Sequence, residues 1–308
     1  MYKHAKIYIK SLLRLPLSNL LSLADKVRRK HAGSKFELCS IVNAKSGLCS
    51  EDCKFCAQSI WHSTGIATHP LLEKSQILLT ARQAKQNRAE KFGIVTSGNR
   101  LNSREIDKVA QAISEIKKKV GISVCASLGV LKKQELTILK QAGLSRYHHN
   151  IETSPRFYPQ IVSTHRYEER IRTLESAKEI GLQVCSGGII GMGEDWQDRI
   201  DMALLLKKLD VDSVPINLLV PIKGTRLESI KPISCVEAIR TICIFRVILE
   251  DKLIKIAAGR ESVLKDFQAM AFMAGANGML IGGYLTIRGR EVAEDLALVE
   301  ELRRVWKQ

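Results

Sequence analysis

The chain has 308 residues, of which 45% are hydrophobic and 26% are charged, and its formal net charge is +16. No stretch approaches 18 uninterrupted apolar residues, which excludes a transmembrane helix, and the basic runs lack the interleaved aromatics of a nucleic-acid platform. We therefore expect a globular protein that binds neither membrane nor nucleic acid, with its lysines and arginines spread over solvated helix faces.

Residues 1–35 are predicted to form an N-terminal helical leader. This segment is basic, contains no acidic residue before Asp25, and has its apolar run broken by Arg14 and Pro16. Because no small-residue cleavage site follows, we predict an amphipathic helix packed on the domain rather than a targeting peptide. Without a secretory signal, the eight cysteines belong in a reducing cytoplasm, where they serve as ligands or core residues rather than disulfides.

Residues 36–308 alternate short β-rich runs with helical patterns. Strands are predicted at 36–44, 92–98, 122–129, 146–153, 183–191, 213–220, 254–260 and 278–285. Helices are predicted at 74–90, 103–119, 132–142, 165–180, 195–208, 234–249, 262–274 and 291–305. Eight strand–helix repeats in this order predict one α/β domain, a parallel (β/α)8 TIM-type barrel. Functional residues of that fold lie at the C-terminal ends of the strands, where the longest predicted loop is 45–73.

The segment CSEDCKFC lies in this loop and places Cys49, Cys53 and Cys56 at the spacing C-x3-C-x2-C. A zinc site usually shows paired cysteine knuckles or histidine partners, and His62 and His69 are poorly spaced to complete one. Thiolates at these spacings can hold a corner of an iron–sulfur cluster. A cluster of four irons bound by three cysteines leaves one iron open, so that it can chelate the amino and carboxylate groups of a small molecule.

With Phe55 before the last cysteine, this segment resembles the signature of radical S-adenosylmethionine enzymes. In that superfamily the open iron of a [4Fe–4S] cluster holds S-adenosylmethionine, which one electron cleaves to methionine and a 5′-deoxyadenosyl radical. Six stretches, in order along the chain, resemble the biotin synthase family: NAKSGLCSEDCKFCAQS (43–59), YHHNIETSPRFY (147–158), VCSGGIIGMGE (184–194), SVPINLLVPIKGT (213–225), AAGRE (257–261) and FMAGANGMLIGGYLT (272–286). The resemblance runs from about residue 36 to the end. It implies sulfur insertion into dethiobiotin, with sulfur from an auxiliary iron–sulfur cluster deep in the barrel.

The resemblance also implies the residues that bind S-adenosylmethionine. Cys49, Cys53 and Cys56 are expected to hold the catalytic [4Fe–4S] cluster. The cofactor is expected to contact a further set of residues: Phe55, Asn150, Glu152, Arg170, and the motif GxIxGxxE formed by Gly187, Ile189, Gly191 and Glu194. Asn150 and Glu152 are two residues apart, which places them on one face of a strand. A carboxylate suits ribose hydroxyls, and an arginine suits the methionine carboxylate. The alternatives are strand packing for the glycines and a solvated helix position for Arg170.

Asn150, Asn217 and Thr286 are expected by the same resemblance to bind dethiobiotin, with the two asparagines counted among the catalytic residues. Asn217 lies within an apolar strand, and a buried amide needs partners. The ureido ring of dethiobiotin offers a matching donor and acceptor. The alternative is a core asparagine that is satisfied by backbone groups, and Thr286 is expected only to touch the carboxylate tail.

The auxiliary cluster of better-known biotin synthases uses three cysteines and an arginine, to which Cys125, Cys185 and Arg260 correspond. The third cysteine is missing, because Gly93 occupies its place. Cys39 is a candidate replacement, since alternate barrel strands contribute side chains to a common interior layer. We therefore hypothesise that Cys39, Cys125, Cys185 and Arg260 converge on an auxiliary cluster of two irons or more. The alternative is that Cys39 is a buried, apolar-like thiol.

Four other residues attract attention because of their type. Cys235 and Cys243 lie eight residues apart on one predicted helix and are expected in the core. His148 and His149 are adjacent on a strand, so their side chains point to opposite faces. We expect one of the two histidines to make a polar contact in the barrel interior rather than to bind a metal.

Two rival functions remain at the level of the sequence. The first is another radical S-adenosylmethionine barrel enzyme, similar to a hydrogenase maturase or a methylornithine synthase, although Cys125, Cys185 and Arg260 together favour sulfur insertion. The second is a basic zinc-binding module for nucleic acid, which would bind in a salt-dependent manner. The family resemblance further implies a flavodoxin- or ferredoxin-type electron donor and a homodimer.

Overall fold

A computed structural model describes residues 2–286 and 289–307, and these residues form a closed parallel β-barrel surrounded by helices. Its strands are β1 (Glu37–Lys45), β2 (Lys91–Thr96), β3 (Ser123–Ser127), β4 (Arg146–His148), β5 (Gln183–Cys185), β6 (Gly188–Ile190), β7 (Ser213–Leu218), β8 (Leu253–Ile256) and β9 (Gly278–Leu280). The strand order is β5-β4-β3-β2-β1-β9-β8-β7-β6, and a further pairing of β5 with β7 closes the sheet. Since β5 and β6 are two halves of one barrel position, the predicted (β/α)8 barrel is confirmed.

The predicted fifth strand, 183–191, is interrupted at Ser186 and Gly187. At this point the strand comes too close to its neighbour for regular pairing, because a Cβ atom on Gly187 would lie 1.9 Å from the carbonyl oxygen of Pro215. A side chain also replaces the ladder bond, as the Oδ1 atom of Asn150 accepts from the Gly187 N–H at 3.1 Å. Hydrophobic alternation alone does not reveal such an interruption.

The helices of the described residues are α1 (Tyr2–Leu12), α2 (Leu17–His31), α3 (Lys74–Gln86), α4 (Ser103–Lys119), α5 (Lys133–Ala142), α6 (Tyr167–Glu179), α7 (Trp196–Lys208), α8 (Cys235–Leu249), α9 (Arg260–Leu264), α10 (Gln268–Met273) and α11 (Val292–Lys307). The start of α4 shows why they form where they do. The Asn102 side chain accepts from the Glu105 N–H at 3.0 Å, while the Glu105 carboxylate accepts from the Asn102 N–H at 3.1 Å. This reciprocal cap satisfies donors that a helix start otherwise leaves open.

The segment expected to be one leader helix forms two, α1 and α2. Pro16 precedes α2, where its fixed φ suits a helix start and its missing N–H interrupts the chain of helical bonds. The connection rests on α8, because the Arg240 Nη1 atom donates to the carbonyl oxygens of Leu13 and Leu15 at 3.2 and 2.9 Å. Cys243 is fully buried in the core face of α8. None of the helices in the described part of the chain is long and apolar enough to cross a membrane.

Candidate active site

One cavity of about 450 Å³ runs from the barrel interior to the loops after the strands, and it brings together most of the predicted site. Six of the eight cysteines line it: Cys39, Cys49, Cys53, Cys56, Cys125 and Cys185. Three of these belong to the loop after β1, and the other three project from β1, β3 and β5. All eight thiols of the chain are free, so no disulfide competes for them.

The cysteine loop folds back on itself at its first cysteine. The Cys49 N–H donates to the Gln58 carbonyl oxygen at 3.0 Å, and the Ile60 N–H donates to the Cys49 carbonyl oxygen at 2.9 Å. Burial raises the pKa of the Cys56 thiol to about 11 and also raises the pKa of Cys53, on which both other loop thiols act electrostatically. Cys53 and Cys56 therefore lie in a poorly solvated place, where a bound metal would favour the thiolate form, and Cys49 lines the same cavity.

Two acidic residues inside the motif fix this loop to the segment that precedes α6. The Asp52 carboxylate accepts from the Ser163 N–H at 2.9 Å and from the Thr164 N–H at 3.2 Å. The Glu51 carboxylate lies 2.7 Å from the Nδ1 atom of His165. Sequence reasoning gave these two residues no role, although two consecutive carboxylates inside a ligand motif were a visible signal.

The loop thiols fit an iron–sulfur cluster better than a zinc ion. Tetrahedral zinc bonds of 2.3 Å would hold its thiolates about 3.8 Å apart, yet no three His, Cys, Asp or Glu side chains within 2–286 and 289–307 form such a single-ion site. A cubane binds each thiolate to a different iron, so its ligands stand farther apart. The Nδ1 atom of His62 lies 2.7 Å from the Cys56 carbonyl oxygen, so this ring nitrogen contacts the backbone of the loop.

Arg170 on α6 is buried, and all three of its guanidinium nitrogens contact polar groups, so it does not lie exposed on a solvated helix face. Its Nε atom donates to the Tyr158 hydroxyl at 2.7 Å, and its Nη1 atom donates to the Asn150 carbonyl oxygen at 2.8 Å. Its Nη2 atom lies 2.8 Å from the Nε2 atom of His165. The Glu152 carboxylate is 3.6 Å away. The solvated-arginine alternative is therefore wrong, and a buried cation faces the cavity.

Asn150 and Glu152 both line the cavity, but not because they alternate along a strand. β4 ends at His148, and Glu152 has a φ of +67°, which bends the backbone. Through this bend the Asn150 Nδ2 atom donates to the Glu152 carboxylate at 3.3 Å. Burial raises the pKa of Glu152, and the charge of Arg170 opposes that rise.

The two glycines and the glutamate of GxIxGxxE shape the backbone, and Ile189 alone among its four residues lines the cavity. Gly187 packs against β7, as the strand-packing alternative proposed. Gly191 has a φ of +101°, which favours glycine. Glu194 is turned away from the cavity, since its carboxylate accepts from the Gly191 N–H at 2.9 Å and from the Arg199 Nε atom at 2.7 Å.

Three further predicted residues line the cavity: Asn217 from β7, Phe55 from the cysteine loop, and Thr286 from the segment after β9. The amide of Asn217 on β7 is already bonded to backbone at both ends, to the Gly188 carbonyl oxygen at 3.1 Å and to the Ala258 N–H at 3.2 Å. One N–H and one lone pair of that amide are left for a ligand. Phe55 is half-buried in the cysteine loop, and Thr286 is exposed at the mouth.

The inner cysteines occupy strand positions that the pairing register defines. Gly93 on β2 pairs with Cys125 on β3 and with Ile41 on β1. Cys39 stands two residues before Ile41, so it lies about 7 Å deeper in the barrel than the position of Gly93. Cys39 and Cys125 act electrostatically on each other, as do Cys125 and Cys185. The three thiols thus face a common interior space, which the absent side chain of Gly93 enlarges.

Arg260 does not join these thiols, and its predicted place is corrected by the structure. It begins α9 after Gly259, whose φ of +83° ends the strand direction. Its Nη2 atom donates to Asp295 at 2.6 Å and its Nε atom to the hydroxyl of Tyr284 at 3.0 Å; Tyr284 lines the cavity, whereas Arg260 lies behind it and does not. The predicted strand 254–260 ends at Ile256, so a residue assigned to its last position turns out of the barrel.

A buried charge cluster lies beside the inner thiols, and sequence reasoning missed it. The Lys255 Nζ atom on β8 is 3.2 Å from the Cys39 Sγ atom and 3.4 Å from the Glu37 carboxylate. The Arg146 guanidinium binds that carboxylate through two bonds of 2.6 and 3.1 Å. Charged residues inside otherwise apolar predicted strands were the available signal, because such residues are rarely buried without a partner.

These charges set the state of the interior. Burial opposes ionisation of Glu37, but the bond from Arg146 and the charge of Lys255 prevail and lower its pKa to about 2. Burial would raise the pKa of Cys185, but Lys255 and a hydrogen bond from His148 lower it to about 6. Arg146 and Lys255 therefore face the Glu37 carboxylate and the Cys185 thiol, whose thiolate form they favour, and this arrangement suits thiolates that bind a metal group. His149 is also buried in the cavity lining, and its Nε2 atom has no partner.

Comparisons with known proteins show which families this chain resembles. Residues 45–206 match the Radical SAM superfamily, and residues 215–303 match the Biotin and Thiamin Synthesis associated domain. The biotin synthase of Thermotoga petrophila is 52% identical over 299 residues, which cover 95% of this chain and 100% of that protein. The biotin synthase of Thermotoga neapolitana is 54% identical over 273 residues, covering 88% and 98% of the two chains.

Solved structures share the fold at much lower identity. Methylornithine synthase (PylB) superposes with a TM-score of 0.82 at 20% identity, covering 96% of this chain and 91% of that one. The hydrogenase maturase HydG from Carboxydothermus hydrogenoformans gives 0.79 at 17%, covering 97% and 78%. Those likenesses establish the fold alone, whereas the high identity over nearly the whole chain establishes the family. The chain belongs to the biotin synthase family of the radical S-adenosylmethionine superfamily.

Proposed function

We propose that this protein is a biotin synthase that inserts sulfur between two saturated carbons of dethiobiotin. The observation that carries the proposal is that two separate groups of three thiols open onto one cavity. One group would hold the cluster that binds S-adenosylmethionine, and the other would hold the cluster that supplies sulfur. Because both groups line the same cavity, a substrate bound there would lie within reach of both.

Cys49, Cys53 and Cys56 would hold the [4Fe–4S] cluster that the family implies. When bound, the cluster and S-adenosylmethionine supply one-electron reductive cleavage and a 5′-deoxyadenosyl radical. The protein's own part is to bind and orient the cofactor. Arg170 offers a buried cation for its carboxylate, and Glu152 offers acceptors for its ribose hydroxyls. The barrel wall around Ile189 excludes water from the reacting atoms.

Dethiobiotin would lie between the two clusters. Asn150 and Asn217 each keep hydrogen-bonding capacity toward the cavity and suit the ureido ring, while Thr286 at the mouth suits the carboxylate tail. The backbone bonds of Asn217 restrain its amide, so the residue is already oriented before substrate binds. Such pre-organisation reduces the entropy lost on binding.

The inner thiols of Cys39, Cys125 and Cys185 would hold the auxiliary cluster, with two irons or a larger sulfur-rich core. Lys255, whose Nζ atom lies 3.2 Å from the Cys39 Sγ atom, would take the place beside them that the family resemblance gives to Arg260. Its ammonium and the Arg146 guanidinium compensate the negative charge that bound thiolates bring into the barrel.

The remaining assignments follow from the family. We propose a flavodoxin- or ferredoxin-type electron donor, a homodimer, and a cytoplasmic location in which thiols stay reduced. Residues 1–35 would form a leader that packs on the catalytic barrel of residues 36–308, as the bonds of Arg240 to the connection between α1 and α2 suggest.

The decisive experiment is anaerobic reconstitution with iron and sulfide, followed by incubation with dethiobiotin, S-adenosylmethionine and a reductant. Mass spectrometry should detect both 5′-deoxyadenosine and biotin. If 5′-deoxyadenosine forms without biotin, the protein is a radical enzyme of another reaction, and the sulfur-insertion proposal is wrong.

The auxiliary ligand set is tested by Cys39→Ala. We expect the variant to lose the iron and sulfide of the inner cluster while retaining the irons of the loop cluster, about four per chain. Cys243→Ala is the matched control, because that thiol is equally buried but lies outside the cavity lining. Equal iron content and identical visible spectra in the two variants would rule out Cys39 as a ligand.

A further inference from the structure

Three large apolar side chains stand exposed together on the outer side of the cysteine loop. Leu48, Ile60 and Trp61 are 78%, 58% and 57% exposed, and we call them the loop patch. Leu48 also has a φ of +53°, which is unfavourable for a branched side chain. Exposed apolar side chains that lie near one another, one of them in a strained conformation, indicate an interaction surface.

Backbone bonds place the loop patch directly against a cluster ligand. Leu48 precedes Cys49 in the chain, and the Ile60 N–H donates to the Cys49 carbonyl oxygen at 2.9 Å. The Trp61 indole N–H donates to the carbonyl oxygen of Ser50, the residue after Cys49, at 3.0 Å. None of the three patch residues lines the cavity, whereas Cys49 does. The loop patch is thus an outer surface whose inner side holds the Cys49 thiol.

The surroundings of the loop patch are basic. Gly224 lies against the backbone of Ser63, since a Cβ there would be 2.1 Å from the Ser63 carbonyl oxygen, so the exposed Lys223, next to Gly224 in the chain, lies on the side of the patch where Trp61 leads into Ser63. Arg226 is exposed two residues later, with Glu228 as the nearby acid, whose carboxylate accepts from the Gly224 N–H at 2.7 Å. A positive rim around an apolar centre fits an acidic protein partner.

We propose that the loop patch is the docking face for an acidic, single-electron carrier protein, which delivers its electron through the Cys49 side of the loop. This proposal rests on the proposed function, because only a loop that holds a redox cluster needs an electron. In the transfer the reduced carrier loses one electron and the loop cluster gains one, and no atoms are exchanged. A polar rim with a small apolar centre suits a transient complex, which must dissociate after each transfer.

The test uses the reconstituted enzyme and flavodoxin, reduced by its own reductase, as the only electron source. Leu48→Asn removes an apolar group while Asn tolerates the positive φ, Trp61→Ser removes the largest one, and Lys223→Glu reverses a rim charge. The matched controls are Leu79→Asn on α3, where Leu79 is 69% exposed, and Lys118→Glu on α4. Two quantities are measured: the affinity for flavodoxin by calorimetry, and the KM for flavodoxin in 5′-deoxyadenosine formation.

We expect the two apolar variants to raise both the Kd and the KM for flavodoxin by roughly tenfold, as loss of an interface anchor does. The charge-reversal variant should weaken binding mainly at low salt. With dithionite as reductant, all variants should form 5′-deoxyadenosine at the wild-type rate, because none of these residues lines the cavity. The control variants should behave as wild type with either reductant.

Three results would overturn the proposal. Unchanged flavodoxin affinity in the loop-patch variants would remove the docking face, and an equal loss in the control variants would show that the effect is not local. A wild-type dimer that becomes monomeric in Trp61→Ser, measured by light scattering, would assign the patch to a second copy of this chain. Absence of 5′-deoxyadenosine with dithionite in the wild type would instead contradict the proposed function.

Discussion

The carboxylate of Glu37, whose side chain is 14% exposed, is the counter-charge of two buried cations, so its removal should destabilise the protein more than the loss of a surface ion pair does. Glu37→Gln keeps the size of the side chain but leaves Arg146 and Lys255 without their counter-charge, at positions where their side chains are only 5% and 8% exposed. Removing one partner of a buried ion pair costs about 3–5 kcal/mol. For 308 residues, an unfolding entropy of about 2.1 cal/mol/K per residue amounts to about 0.65 kcal/mol/K. We therefore expect the melting temperature to fall by about 5–8 °C.

The assay is thermal unfolding of the cluster-free protein under reducing, anaerobic conditions, because bound groups would stabilise the folded state by mass action. Glu179→Gln is the control, since Glu179 pairs with Lys133 on the surface with both side chains more than half exposed. In the double variant Glu37→Gln/Lys255→Met, one unpaired cation is gone and part of the loss should be recovered. The proposed charge balance is wrong if Glu37→Gln and Glu179→Gln have the same melting temperature. It is also wrong if the destabilisation of the double variant equals the sum of those of its two single variants.

Three further outcomes follow from the geometry. Arg170→Lys should weaken S-adenosylmethionine binding by about 10–100-fold in calorimetry, because lysine lacks the planar guanidinium that makes three directed hydrogen bonds. The control variant Arg172→Lys, at an exposed position of the same helix, should bind S-adenosylmethionine normally. Gly187→Ala should give no folded protein in expression trials, since its Cβ would lie 1.9 Å from a backbone oxygen. Gly93→Ala should fold and melt cooperatively, since its Cβ would lie 3.0 Å from the Cγ2 methyl of Ile41, a side-chain atom that has to shift by only a few tenths of an ångström. Hydrogen bonds from two lysines lower the pKa of Asp210 to about 2. Its ion pairs therefore stabilise the protein above about pH 4, and this stabilisation is lost as the pH falls toward 2. The difference in melting temperature between wild type and Asp210→Asn should shrink over that range, and a constant difference would contradict the pairing.

The barrel was predictable because its signal is repeated and local. Each strand and helix carries its own periodicity, and the order of elements leaves few topologies for a parallel sheet. What the periodicity missed are the interruptions, such as the break at Gly187 and the positive φ at Glu152. Both depend on the close approach of another segment, and no property of the local residues encodes that approach.

The candidate site shows the same division. The loop cysteines could be found from their spacing because their ligand geometry is local in sequence. Arg260 was misplaced because the assignment extended a strand past Gly259, and three residues are enough to turn a side chain out of the barrel. Lys255 was overlooked for the opposite reason: it lies within an apolar strand, and its contact with Cys39 appears only once the sheet places β8 next but one to β1, with β9 between them.

The positions of Gly93, Cys39 and Lys255 are best understood together. Moving a thiol from the level of Gly93 to Cys39 keeps three thiols in the interior but places one of them about 7 Å deeper, next to Glu37 and its two cations. A thiolate at that depth is farther from water and would be costly without a cation beside it, and Lys255 provides one at 3.2 Å. The depth of the thiol and the identity of the cation therefore depend on each other, so exchanging Lys255 alone should disturb the inner cluster even though the three cysteines remain.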